Sequence, residues 1–451
     1  MSIATELTNL NNNILDAYSA VQNMGGTVPG NKNMANLDTA INSIPAPNPY
    51  AIDRGTTPLI GGGRRLDVPI NLANIVINHN IVEIGADSLE DAYPGNYTAN
   101  VDMSTVEKIG SAGMAEFTCD KAHASGGGGV AVPSTSTLDA SALEEVQSNG
   151  LEYAFANHNF GSISFPSLTT VWQNSFNYAF FNARYSGGVS ATFGALTTVS
   201  SSNAFNSCFS LGTGNSMITD RGLNSLSFPV LTTLSSSATS FFNYACSCNG
   251  RLTTIDFGEL QTIYAGSAFN QAFRFCGIVT MNGFPKLEEV NSSSAFNTAF
   301  SMCTNMTSVS FPKLKTIGSG GSQAFSFAFA GDTALTTVDF SLLETISSSS
   351  GFSAAFQGCT ALASISFPSL TTISNSQIFS QAFRNCTALT SISFPSLTEA
   401  GFGSYVNQFN NMLQGVTGCT VHFPSAVQAK VETTSGYPNY GGTSTTVLFD
   451  L

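Results

Sequence analysis

Glu144–Glu145 and Glu288–Glu289 are adjacent acid pairs, and paired carboxylates are what glycoside cleavage requires. One must act as acid and the other as base or nucleophile, about 5–10 Å apart across the scissile bond. Neighbours along an extended chain point to opposite faces, so neither pair presents two carboxyls to one bond. Asp256 and Asp339 hold the same position of a repeat but stand three coils apart. At strand spacing that is roughly 14 Å, beyond what either glycosidase geometry spans. The histidines, His79, His123, His158 and His422, are scattered over separate segments. They form neither an H-E-x-x-H metal motif nor a triad with a nearby Ser and Asp. His422 takes a place held by Ser in other coils, which predicts a solvated face residue. "GGGG" at 126–129 lacks the following Lys of a phosphate-binding loop. The sequence thus offers no catalytic residue, no metal ligands and no cofactor site.

The nine cysteines are an odd number without metal-like grouping, and the C-x-C at Cys246 and Cys248 has no second pair nearby. Cys276, Cys303, Asp332, Cys359 and Cys386 instead form a periodic column. Such a column is either a redox or metal ladder or a row of small buried thiols, and the second is expected because free Cys packs as a small hydrophobe. Asp332 is then the odd member, expected to turn to solvent or cap a turn.

The elements that carry these residues are set by a repeat. "F-P-x-L" or a close relative starts at Phe165, Phe193, Phe228, Phe257, Phe284, Phe311, Phe340, Phe367, Phe394 and Phe423. Successive members are 28, 35, 29, 27, 27, 29, 27, 27 and 29 residues apart. A near-constant period of this length marks a solenoid, each repeat one coil stacked on the next. Within one coil Ile365 and Phe367 are two apart, the spacing of one strand face. Pro368 then turns the chain away from the ladder. Phe379, Phe383 and Cys386 stand at i, i+4 and i+7, which predicts a short helix. Each coil therefore reads as strand, Pro turn, second extended piece, Ser-rich bend and helical turn around a Phe-lined interior. Stacking should also set Glu288 beside Lys315 and Lys315 beside Glu344, and Glu259 beside Lys286, with Lys313 next in that column. Exposed pairs of this kind contribute about 0–1 kcal/mol each.

"NCTALTSISFPSLTEA", with "AFRNC" closing the coil before it, resembles the BspA-like leucine-rich repeat family. "IVEIGADSLED" (Ile81–Asp91) and "STVEKIGSAGMAEF" (Ser104–Phe117) resemble one half of that family's repeat, and "GCTVHFPSAVQAKVETTSGYPNY" its closing coil. The resemblance covers roughly residues 70 to 440 and implies an α/β repeat solenoid, mainly short parallel strands with short helical turns. The chain departs from the family in its coils of about 27 residues and in a second Phe ladder.

Ile3, Leu7, Leu10, Ile14, Ala17 and Val21 alternate in steps of four and three, a heptad seam on a helix ending at "NMGG". Leu37, Ile41 and Ile44 mark a second helix, stopped by "PAPNP" at Pro45–Pro49. This small N-terminal helical module reads equally as a closed hairpin and as an oligomerising stalk, with a homotrimer as one product. "GTVPGNKNMANLDTAINSI" also resembles, loosely, a leader found before phage-borne fibre and surface proteins. The domains expected are 1–45, helical attachment or oligomerisation; 46–70, linker; 71–419, solenoid; and 420–451, capping coil.

With 15 Lys+Arg against 28 Asp+Glu the net charge is −13 and no basic stripe exists, which argues against nucleic acid and anionic membranes as partners. No apolar stretch approaches the ~20 residues that span a bilayer. Glu6 and Asp16 interrupt what would be the apolar core of a standard leader, so export, if any, is expected by another route. Trp172, Tyr178, Tyr185, Tyr405, Tyr437 and Tyr440 are the aromatics placed for surface contact, although capping the two ends of the stack accounts for them as well. Together these features lead to a non-enzymatic fibre or decoration protein on a phage particle. Its N-terminus would join virion structural proteins and its solenoid a bacterial surface protein or glycan. A bacterial cell-surface adhesin of the same fold is the alternative, and a polysaccharide-degrading solenoid a remote third.

Overall fold

The computed structural model describes residues 82–89, 100–117, 137–158, 160–183, 189–212, 214 and 216–451, with Ala17 and the backbone of Ala51–Ile52 and Ile75–Val76. The chain divides into two compact units, Met1–Ala51 and Ile52–Leu451. Of the expected helical module, Ala17 is helical and half-buried. Ile3, Leu7, Leu10, Ile14 and Val21 lie outside the described residues, as do Tyr185, His79 and His123.

The second unit is a parallel β-solenoid of about 11 turns. The coil from Cys359 to Cys386 shows how residues make it. In Ser364–Ser366 the pattern is exposed, buried, exposed, so Ile365 faces inward between two outward hydroxyls. Ser364, Ile365 and Ser366 pair in register with Ser391, Ile392 and Ser393 of the next coil. Phe367 and Pro368 then enter a tight turn closed by the Leu370 N–H donating to the Phe367 carbonyl at 3.2 Å, with Pro at the turn position its fixed φ suits. Thr372–Ile373 is the second strand, paired with Thr345–Ile346 of the preceding coil. Across the described coils the second strands form parallel sheets of five and seven, and the first strands form sheets of three, four, three and four.

The third side corrects the sequence reading: Phe379 to Cys386 is not a helix but a chain of tight turns. Gln377, Gln381 and Asn385, four residues apart, have φ of 56°, 56° and 61°. That left-handed residue in every four sends alternate N–H groups in different directions. Ser380, Ala382, Arg384 and Cys386 donate to carbonyls three residues back, while Phe379, Gln381, Phe383 and Asn385 donate to Gln408, Asn410, Met412 and Gln414 of the next coil. The physical reason is thickness. A helix with side chains is about 10–12 Å across, whereas paired strands fix the coils about 4.8 Å apart. A flat turn ribbon fits that spacing and keeps the same i, i+4 apolar pattern. Among the described residues of this unit, regular helix is confined to single turns at Ala400–Phe402, Ser425–Val427 and Gln428–Val431.

Three phenylalanine columns fill the interior. The strand-side column runs from Phe165 to Phe423, with every member buried and adjacent rings nearly parallel, 4.6 Å apart at the closest (Phe193–Phe228) and 6.4 Å at the widest (Phe340–Phe367). On the ribbon side Phe352–Phe379 and Phe356–Phe383 stack at 5.8 and 5.5 Å. Between columns the rings meet edge to face, as Phe367 meets Phe379 at 5.2 Å and 61°, the arrangement ring quadrupoles favour.

The cysteine column is a packing device. The eight described cysteines are buried and free. Cys276, Cys303, Cys359 and Cys386 each donate S–H to a carbonyl thirty residues earlier, at 3.0–3.2 Å. Burial pushes the Cys386 and Cys419 thiols up to about 12 and raises those of Cys208, Cys246, Cys276, Cys303 and Cys359 well above the usual value, so these thiols stay protonated. Of the two expectations for Asp332, solvent exposure and capping a turn, the first is overturned: it is fully buried. Its Oδ1 accepts the Cys303 N–H at 2.8 Å, and its Oδ2 has no partner. Burial raises its pKa well above the usual carboxylate value, against the opposing pull of the Cys303 N–H.

Two outcomes test these points. Gln377 is exposed with positive φ, so Gln377→Gly should leave the urea midpoint unchanged or raise it, while Gln377→Val lowers stability by about 1–2 kcal/mol. In a helix the Gly substitution would instead cost about 1 kcal/mol. At Asp332 the folded state binds its proton more tightly than the unfolded chain, so this contribution is complete below about pH 4 and is lost as pH rises through the raised folded value. Asp332→Cys should therefore raise stability at pH 8 by about 1–3 kcal/mol and by much less at pH 5, measured by urea titration at both.

Candidate binding surface

The outward residues of each coil come to the surface as columns, because strand register carries equivalent positions into line. The column at the end of the first strand holds Ser227, Asp256, Ser310, Asp339, Ser366, Ser393 and His422. Its members bond one another across coils. Ser227 donates to Asp256 at 3.0 Å, Ser310 to Asp339 at 3.1 Å, and Ser393 to Ser366 at 2.8 Å. His422 is half-buried, with Nδ1 3.0 Å from an Asp450 carboxylate oxygen. On the ribbon, side-chain amides form a ladder: Asn270 donates to Asn243, Asn243 to Asn206, Asn206 to Asn177 and Asn177 to Glu152, all at 2.9–3.0 Å. Such ladders tie coil to coil and hold their outer atoms at fixed spacing.

The carboxylates are engaged one by one. Glu145 accepts the Trp172 indole N–H at 2.9 Å, and Glu144 beside it is exposed. Glu288 pairs with Lys315 at 3.3 Å and Glu259 with Lys286 at 2.7 Å, two of the inter-coil pairs expected from the repeat. Partial burial opposes ionisation of Asp339, but the N–H and hydroxyl of Ser341 and the Ser310 hydroxyl outweigh it, leaving its pKa below the ordinary value. His158 is buried against Phe160, with ring centroids 4.4 Å apart. Among the described residues no group of three or more His, Cys, Asp or Glu could hold a metal ion, and no helix is long and apolar enough to cross a membrane.

The aromatics divide. Trp172 and Tyr405 are each 48% exposed. Tyr178 is half-buried, stacked on Tyr153 at 4.6 Å. Tyr437 is half-buried against the core. Tyr440 is fully buried, its hydroxyl 3.1 Å from that of Thr434, so it is a core residue and not a contact residue. Its role is to end the ribbon-side ring column, 5.6 Å from Phe409. Sequence reasoning missed Tyr264, which is 39% exposed and donates to Glu289 at 3.3 Å. It follows the strand Thr262–Ile263 as Trp172 follows Thr170–Val171, and that shared place in the repeat was the signal available.

Residues 270–414 match the model of the BspA type leucine rich repeat region, in six copies. A leucine-rich repeat protein from Bacteroides ovatus is similar over 82% of this chain and 88% of that one, at 16% identity and a TM-score of 0.34. A leucine rich cell surface protein from Faecalibacterium prausnitzii is similar over 81% and 83%, at 14% identity and 0.30. No curated protein matches the chain. The matched copies coincide with the most regular coils, those of Phe284 to Phe394, and residues 270–414 of this chain are a BspA-type leucine-rich repeat region.

Proposed function

We propose that this chain is a non-enzymatic adhesion protein that grips a bacterial surface, protein or glycan, through the outer faces of its solenoid. The observation that supports this most is the set of uncharged hydroxyl and amide columns cross-linked between coils, the Asn177–Asn206–Asn243–Asn270 ladder above all. A surface whose polar groups are already fixed loses little entropy when it meets a partner. The net charge of −13 turns the same surface away from nucleic acid.

Two settings suit this reading. In one, the chain is a fibre or decoration protein of a phage virion, held through its N-terminal segment, where the seam Ile3, Leu7, Leu10, Ile14, Ala17 and Val21 would join three copies. The leader-like "GTVPGNKNMANLDTAINSI" favours it. In the other it is a bacterial cell-surface adhesin, which the BspA-type repeats suit equally well.

Co-sedimentation of the full chain with intact virions and with bacterial cells is the test. Saturable recovery with cells, and no release of reducing ends from their polysaccharides, is expected. Recovery with neither cells nor virions, or the appearance of reducing ends, would overturn the reading.

A further inference from the structure

One coil of the regular region departs from both neighbours at several places. It carries Asp332 where they have Cys303 and Cys359, Asp339 where they have Ser310 and Ser366, and Ser341 where they have Pro312 and Pro368. Its first strand, Thr337–Asp339, is the last of a three-stranded sheet, and Ser364–Ser366 of the next coil is the first of another. The two do not pair. Between the following coils the Thr390 N–H donates to the Ala363 carbonyl and the Phe367 N–H to the Ser393 carbonyl. The counterparts here, Ala363 to Thr336 and Phe340 to Ser366, are both missing. The hydrogen bonds of the Asp339 carboxylate run to Ser341 and Ser310, on its own and the preceding coil. Phe340 and Phe367 are correspondingly 6.4 Å apart, against 5.4 and 5.5 Å for the pairs on either side.

The parting is local. Thr345–Ile346 and Thr372–Ile373 remain paired behind it, and the Ser369 hydroxyl still donates to the Ser341 carbonyl at 2.7 Å. In front of it lies a groove of about 590 Å³ lined by Thr337, Asp339, Ser364, Ser366, Ser391 and Ser393, with Val338, Ile365 and Pro368 among its apolar members. That volume falls in the range of small-ligand sites.

We propose that this groove between the Asp339 and Ser366 coils binds a neutral saccharide unit. Serine and threonine hydroxyls both donate and accept, and a carboxylate only accepts. A ligand that satisfies this set must carry several hydroxyls of its own, at least one donating to Asp339. The unpaired Phe340 N–H and Thr336 carbonyl add one donor and one acceptor of the kind the neighbouring coils consume internally. No Lys or Arg lines the groove, so a phosphate, sulfate or uronate would meet Asp339 uncompensated. A peptide strand does not fit between the edges, since insertion would need about twice the normal 4.8 Å strand separation, and the rings have parted far less.

The inference rests on the adhesion reading and deepens it by naming a ligand class and a place. The test is an array of neutral, sialylated and sulfated oligosaccharides probed with the full chain and three variants. Ser366→Phe fills the groove, and Asp339→Asn removes its charge while keeping its shape. Ser190→Phe puts the same bulk on a distant exposed position as a control. Binding to neutral members is expected. It should be lost with Ser366→Phe, weakened about tenfold with Asp339→Asn, as the loss of a charge-assisted hydrogen bond implies, and unchanged with Ser190→Phe. Thermal melts establish that each variant is folded, and Asp339→Asn carries the test if Ser366→Phe is not. Neutral-glycan binding that survives both groove variants would overturn the groove, as would binding confined to acidic glycans. Recovery of the protein with cells but no glycan bound would also overturn it, while leaving adhesion standing. Failure to bind cells at all would overturn both.

Discussion

Backbone hydrogen bonding between successive coils is the constraint on which the rest depends. Parallel strands hold the coils about 4.8 Å apart, and every other part of a coil must be thin enough to repeat at that spacing. The strand side meets the requirement with Ser-Ile-Ser segments that stack residue on residue. The far side meets it with turns in which a left-handed residue every fourth position hands alternate amides to the next coil. Non-glycine residues in that conformation cost roughly 1 kcal/mol or more each, and Asn takes it most cheaply. Asn149, Asn157, Asn174, Asn182, Asn203, Asn385 and Asn411 are placed there.

The interior and the surface follow from the same spacing. Aromatic rings stack well at about 5 Å, so phenylalanine recurs in columns that no coil could bury alone. Outside, the register lines up hydroxyls, amides and a few opposite charges. The ion pairs at Lys286 and Lys315 are exposed and contribute little energy. The hydroxyl and amide ladders present a fixed pattern of neutral hydrogen-bonding groups. Where one coil substitutes Asp339 and Ser341 into that pattern, strand pairing stops and a groove opens. The repeat provides the scaffold, and one of the three interruptions of first-strand pairing among the described residues holds this groove.

Much of this was legible in the sequence, for identifiable reasons. The Phe165-to-Phe423 column and the cysteine column recur at a fixed period, and a period translates directly into burial. The inter-coil pairs Glu259–Lys286 and Glu288–Lys315 followed from the same alignment. The ribbon did not, because i, i+4 apolar spacing belongs both to a helix and to a run of four-residue turns. Only the thickness allowed by strand pairing separates the two, and that is a property of the stack. Asp332 escaped because a charged residue type suggests solvent, whereas its position in the column places it inside. Tyr440 was legible as one of two alternatives, surface contact or capping an end of the stack, and it is the second: it closes a ring column. The groove at Asp339 could not be read at all, since a few modest substitutions do not announce a broken strand pair.

The most direct test removes one period. Deleting residues 360–386 joins Cys359 to Thr387 and leaves the uninterrupted repeat "GCTALTSISFPSL". If coils stack as equivalent units in register, this protein should fold, show the same β-type circular dichroism, and melt cooperatively close to the parent. A deletion shorter by three residues should fail to do so, because it throws the following strands and rings out of line. Equal tolerance of both deletions, or equal collapse, would contradict the account.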